Sequence, residues 1–122
     1  DKIYNILEVG GLFFVVVPNN QSVHRLVGEK IGITKSLDEL TETERTMQQF
    51  SSYSPIILKN QLENHGFKVV EIATNFIKPL PHAGMQEAID NSLISDDDLE
   101  FLYRISGLMP EFGSEIFGIA VK

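Results

Sequence analysis

The chain has 122 residues, 43% of them hydrophobic and 22% charged, with a net charge of −7 and no cysteine. That length suits one small domain, 1–122, able to bury roughly two thirds of its unfolded surface. The acidic balance disfavours nucleic-acid phosphate and anionic lipid as partners. The missing cysteines exclude disulfides, thiolate metal sites and a cysteine nucleophile, and no apolar run nears the ~20 residues that span a bilayer. With no initiator methionine and no signal-peptide pattern at Asp1, the chain reads as a piece of a longer, cytoplasmic protein.

Ile3, Tyr4, Ile6 and Leu7 recur at helical spacing, which predicts the last turns of a helix over 1–8, closed by Gly10 in a left-handed conformation. Leu12 to Val17 is an unbroken apolar run, half of it valine, set between Gly10-Gly11 and Pro18-Asn19-Asn20. Such a run predicts a strand buried on both faces, because a strand with one wet face alternates polar and apolar residues. Asn20 is placed to cap a helix with Val23, Leu26, Val27 and Ile31 on one face, ended by Gly32.

Residues 32–52 are polar and carry two cap signals, Ser36-x-x-Glu39 and Thr41-x-x-Glu44, which predict short helices anchored by Leu37, Leu40 and Met47. Tyr53 precedes the clearest helix in the chain. Ser54 is its cap, Pro55 its first residue, Leu58 and Leu62 share a face, and Gly66 and Phe67 supply the closing turn. His65 falls in the last turn, favourably placed near the negative end of the helix dipole.

Lys68 to Ile77 is rich in Val and Ile and predicts a second strand, ended by Pro79 and Pro81. A helical insert follows over 82–110. Met85, Ala88 and Ile89 line one helix; Ser95 caps another that carries Leu99, Leu102 and Tyr103. The run Asp96-Asp97-Asp98 suits the first turn of that helix and not a metal, since consecutive carboxylates cannot converge on one ion without a glycine-containing calcium loop. No metal site is expected. Glu115 to Val121 is a third strand, alternating Ile116, Gly118 and Ala120 with Phe117, Ile119 and Val121.

Two segments, in order and at matching separation, carry a likeness. Leu7-Glu8-Val9-Gly10-Gly11-Leu12-Phe13-Phe14-Val15-Val16-Val17-Pro18-Asn19 resembles the L-x-P-G-G-strand-P-N turn into the fifth strand of class I S-adenosylmethionine-dependent methyltransferases, with Val9 where the family has proline. Tyr53-Ser54-Pro55 followed by Leu62-Glu63-Asn64-His65-Gly66-Phe67-Lys68-Val69-Val70-Glu71 resembles the run into the sixth strand.

The resemblance implies an α/β fold, the carboxyl-terminal part of a Rossmann-like sheet. Three strands would lie in the order first, third, second, the last antiparallel, with four to five helices. It implies that 32–52 and 82–110 lie on the substrate side. Some relatives carry G-H-R-R-x-Y before the second helix; here the aligned residues are Gln48-Gln49-Phe50-Ser51-Ser52-Tyr53, and only the tyrosine is kept.

Ligands of open α/β sheets bind at the carboxyl ends of the strands, so Pro18, Asn19, Asn20 and His24, with Tyr53, are the candidate substrate-side residues. No catalytic residue stands out. A nucleoside cofactor needs a glycine-rich turn after a strand and an acidic residue about twenty positions on. No G-x-G-x-x-G occurs, and Gly10-Gly11 precedes a strand. S-adenosylmethionine is therefore expected to belong to a parent enzyme, with no cofactor-binding residue in this chain and no activity from it alone.

A small-molecule acceptor is favoured over nucleic acid. The alternative is a non-catalytic binding or dimerisation module that keeps the half-fold. A hydrolase is excluded by the lack of G-x-S-x-G and of any H-x-x-x-H pair among His24, His65 and His82. An apolar strand with one unpartnered edge recruits another chain, which predicts homodimerisation or swapping through 12–17 unless the helical inserts cover that edge.

Overall fold

The computed structural model describes residues 2–32, 36–37, 40, 45–46 and 51–122. The elements run in the order α1 (Lys2–Ile6), β1 (Leu12–Pro18), α2 (Val23–Lys30), α3 (Pro55–Asn64), β2 (Lys68–Asn75), α4 (His82–Asp90), α5 (Asp96–Ile105), a 3₁₀ turn (Ser106–Leu108) and β3 (Glu115–Val121). The three strands form one sheet in the order β1-β3-β2, with β3 antiparallel to both neighbours. The expected α/β class, strand order and orientation are therefore found, with five α-helices among the described residues.

β3 pairs with β1 from Leu12↔Val121 to Pro18↔Glu115 without interruption, and with β2 across a bulge between Val69 and Glu71. That register puts Phe13, Val15 and Val17 on the same face as Ile116, Gly118 and Ala120. Against this face packs α3, whose Leu58 and Leu62 join Phe67, Ile116 and Ala120 in the buried cluster; Tyr4 and Leu7 close it from the α1 end. Tyr4 meets Phe67 edge to face at 5.0 Å. Each fully buried apolar side chain here contributes roughly 1.5–3 kcal/mol.

The expectation that β1 is buried on both faces fails. Burial alternates along it: Leu12, Phe14 and Val16 are 66%, 62% and 48% exposed, while Phe13, Val15 and Val17 are half-buried. The reason is the placement of the helices. The buried cluster that α3 makes with the sheet lies on the Phe13 face, and no described element covers the Phe14 face, where Phe14 stacks only on Phe117 of the neighbouring strand at 6.4 Å.

Local grammar explains most element ends. Ser54 accepts from the Ile57 amide at 3.4 Å with Pro55 at the first helical position, as expected. Gly10 adopts φ +82° after α1, a conformation that costs a non-glycine residue about 1–2 kcal/mol. At α5, Ser95 Oγ accepts from the Asp98 amide at 3.3 Å and Asp98 Oδ2 accepts from the Ser95 amide at 2.9 Å. This reciprocal box engages one of the three aspartates and holds its carboxyl below the usual carboxylate range, chiefly through the Ser95 hydroxyl.

Two ends differ from expectation. α2 starts at Val23 with Ser22 in the cap position, not Asn20, because Asn19 and Asn20 are held in the preceding turn. β2 stops at Asn75 rather than Ile77, since Phe76 turns the chain with φ +54° and Ile77 donates to the Leu102 carbonyl of α5 instead of to the sheet. The insert 82–110 is helical as expected. The cap residues Glu39, Thr41 and Glu44 and the anchor Met47 of the 32–52 insert lie outside the described residues. No described helix is long and apolar enough to cross a membrane.

Candidate functional site

β1 and β2 run parallel to each other, so their carboxyl ends meet the start of β3 on one border of the sheet. A polar corner is built there. Asn19, 1% exposed, is its centre. Its Nδ2 donates to the carbonyls of Glu111 and Gly113, both at 2.8 Å, and its Oδ1 accepts from the Gln21 amide at 3.0 Å. One side chain thereby ties the end of β1 to the loop that leads into β3.

Thr74, at the end of β2, grips the same loop: its hydroxyl donates to the Pro110 carbonyl at 2.7 Å and accepts from the Gly113 amide at 3.0 Å. Gly113 is required by this crowding, because a Cβ there would collide with the backbone of Asn75 and the Thr74 hydroxyl.

Asn20 donates its amide to the Tyr53 carbonyl at 2.8 Å, and Asn19 and Tyr53 form a parallel bridge. Leu37 adds a second tie, its carbonyl accepting from Arg25 Nη2 at 2.8 Å and from the Ser52 hydroxyl at 3.2 Å. Arg25 is 6% exposed, so the amino-terminal half of α2 presents a buried cation at this corner. Among the described residues Asn20 Oδ1 and Ser22 Oγ are buried with no hydrogen-bond partner. Leaving such a group unsatisfied costs about 1–3 kcal/mol.

Lys78 follows β2 at the same border. Its burial pushes the ammonium below the ordinary lysine range, and the Glu115 carboxylate pulls weakly the other way.

Of the sequence-derived candidates, Pro18, Asn19 and Asn20 therefore stand together, with His24 half-buried on the first turn of α2. Asn19 is engaged on all its polar atoms by backbone and acts as a clamp; Asn20 Oδ1 is buried without a hydrogen-bond partner among the described residues. Tyr53 is divided: its backbone joins the corner, but its ring packs on the core and its hydroxyl lies 3.4 Å from Gln61 Oε1. That ring lines a cleft of about 430 Å³ between α1, β1 and α3, shared with Phe13, Val15, Val17, His65 and Lys2.

Sequence reasoning passes over Ser22, Thr74 and Lys78. Thr74 had a signal, being the one hydroxyl on the inward alternation of β2. No protein-family model matches the chain, and no curated protein matches it.

The turns that follow strands decide what the described residues can hold. After β1 comes Asn19-Asn20-Gln21, and after β2 comes Phe76-Ile77-Lys78-Pro79. Neither offers the glycines whose bare backbone approaches a nucleoside cofactor.

Proposed function

We propose that this chain is the carboxyl-terminal, substrate-side portion of an S-adenosylmethionine-dependent methyltransferase acting on a small molecule. What supports the reading is the sheet order β1-β3-β2 with an antiparallel β3, found in a chain whose Gly10-Gly11-strand-Pro18-Asn19 and helix-Gly66-Phe67-strand segments resemble that family in order and spacing.

In this reading the corner formed by Pro18, Asn19, Asn20 and His24 is the wall against which the acceptor rests. Asn19 keeps that wall rigid, and Tyr53 positions the segment that borders it. The insert 82–110 closes over the same side. Methyl transfer needs an acceptor held in line with a sulfonium and shielded from water more than it needs acid–base help. The chain's contribution is that positioning. The cofactor is supplied with its binding residues by another part of the parent protein, so this chain by itself is inactive.

The gene sequence upstream of the Asp1 codon tests this. A hydrophobic strand running into G-x-G-x-G, with an acidic residue about twenty positions on, is the expected result. A start codon directly before Asp1 overturns it. A second readout uses the chain itself: S-adenosylhomocysteine is expected to leave its melting temperature unchanged, and a clear upward shift would place the cofactor site here instead. The alternative of a dimerisation module has one observation in its favour, that among the described residues no ladder forms on the outer edge of Leu12–Pro18, and it predicts self-association without any enzyme activity.

A further inference from the structure

We propose that the Lys78 ammonium binds an oxyanion, a carboxylate or a phosphate, carried by the methyl acceptor. That the anion belongs to an acceptor rests on the methyltransferase reading; that Lys78 binds it does not.

Lys78 stands at the border of the sheet where the carboxyl ends of strands hold ligands. Pro18↔Glu115 and Asn75↔Glu115 are the last pairs that β1 and β2 make with β3, so the ends of both outer strands and the start of β3 form one row. Lys78 follows that row directly in the chain, and the charge of Glu115 acts on it.

The backbone that delivers Lys78 is strained and pinned. Phe76 takes φ +54°, a left-handed conformation rare for a bulky side chain. Residues in such conformations persist only where their surroundings hold them, and they gather at ligand clamps. Here the Ser114 amide donates to the Asn75 carbonyl at 2.9 Å and to the Phe76 carbonyl at 2.8 Å, and the Ile77 amide donates to the Leu102 carbonyl at 3.1 Å. Ile77 is buried. On the other side, Pro79 restricts Lys78 to extended backbone. A side chain anchored from both sides loses less freedom when it takes a ligand.

The charge so placed is not neutralised. Lys78 is half-buried, and among the described residues it has no hydrogen bond and no ion pair. Glu115 acts on it only through space, and its pull is weaker than the loss of solvent. A desolvated cation without a partner is destabilising. Strain and an uncompensated charge two residues apart are two local costs at one place, the pattern of a site kept for binding. An anion set against the ammonium replaces the lost solvation, and the attraction is stronger there than at an exposed lysine because less water screens it. Lys30, exposed in the last turn of α2, supplies that comparison within the same chain. An ammonium is a compact point charge with three donors and suits either oxyanion, so the choice between carboxylate and phosphate falls to the experiment.

Chemical-shift titration of the chain with sodium acetate and, separately, with sodium phosphate tests the proposal. Sodium chloride holds the ionic strength constant, because a net charge of −7 repels every anion at long range and salt alone would change that repulsion. The expected result is a saturable shift of the Lys78 ε-methylene and of the Phe76 and Ile77 amides, half-complete at ~1–10 mM anion and at a concentration about ten-fold below that which moves Lys30. Saturation by acetate assigns a carboxylate, saturation by phosphate a phosphate, and saturation by both the shared oxyanion. Lys78→Gln should abolish the shift and leave the circular dichroism unchanged. No shift, a shift that rises alike at Lys30 and Lys78, or saturation that survives in Lys78→Gln overturns the proposal and leaves an adventitious ion only. Neither titration involves the cofactor or the upstream gene sequence, so the two readings fail separately.

Discussion

β1 and β3 lie side by side in the sheet, and both are predominantly apolar. Their fates differ. In β3, Ile116 and Ala120 are completely buried against α3, and both edges are paired. In β1 no residue of Leu12–Pro18 is fully buried, and among the described residues its edge away from β3 carries no ladder along Leu12–Pro18. Apolar composition reports the environment a strand is suited to; burial is conferred by the elements that reach it. β1 has the composition of an interior strand in the position of an edge strand.

The sharpest way to break this comparison is to truncate one residue in each strand. Ile116→Ala should cost about 2–5 kcal/mol by urea unfolding, as for other fully enclosed side chains. Val15→Ala, on the same face but half-buried, should cost about 1 kcal/mol, and Val16→Ala, on the open face, should fall within about 0.5 kcal/mol of wild type. Equal losses at the three positions would mean that β1 is enclosed after all. Gly118→Ala adds a test in the other direction. Its Cβ would lie 3.0 Å from Ile72 Cδ1 and 3.2 Å from Val15 Cγ1, and overpacking of this kind costs about 1–3 kcal/mol.

The polar corner offers a second contrast between two buried side chains. Asn19 is satisfied on every polar atom, and Ser22 Oγ has no partner among the described residues. Asn19→Ala should cost about 2–3 kcal/mol, since two loop carbonyls lose their donor. Ser22→Ala should be neutral or slightly stabilising in urea unfolding. A large stability loss at Ser22 would show that its hydroxyl has a structural role.

The topology was legible because its signals are local and redundant. The strand ends are punctuated by Gly10-Gly11 and Pro18, α3 carries both a cap and a closing turn, and β3 alternates. The cap of α2 was misassigned for an equally physical reason: Asn20 and Ser22 are both good caps by type, and only the long-range bonds of Asn19 to residues 111 and 113 decide that the turn persists to Ser22. The open face of β1 could not be read at all, since a continuous apolar run describes what a strand would bury and carries no information on what lies opposite. Of the site, the contiguous residues 18–20 were found by their place at a strand end; Thr74 and Lys78 enter only once β2 is set parallel to β1.

The smallest effect expected is at the exposed start of α5. Asp98 has its folded pKa depressed by its bonds to Ser95, so its contribution is fully present above the ordinary aspartate value of about 3.9 and is lost as pH falls through the folded value. Melting temperatures of wild type and Asp98→Asn should therefore differ at neutral pH and converge in acid. Lys78 acts in the opposite sense. Its depressed folded pKa makes it a destabilising charge at neutral pH, a penalty relieved as pH rises through the folded value toward the unfolded one, so Lys78→Met should stabilise at neutral pH and lose that advantage in alkali.

The central claim, that β1 has the composition of an interior strand but is laddered, among the described residues, on its β3 side alone, is tested most directly by amide hydrogen exchange on dilute protein. The amides of Phe13, Val15 and Val17 bond toward β3 and should be protected, while those of Leu12, Phe14 and Val16 should exchange rapidly. That alternation is the predicted result. Uniform protection along Leu12–Val17 in a monomer would mean that some other segment already pairs with this edge, and would contradict the account.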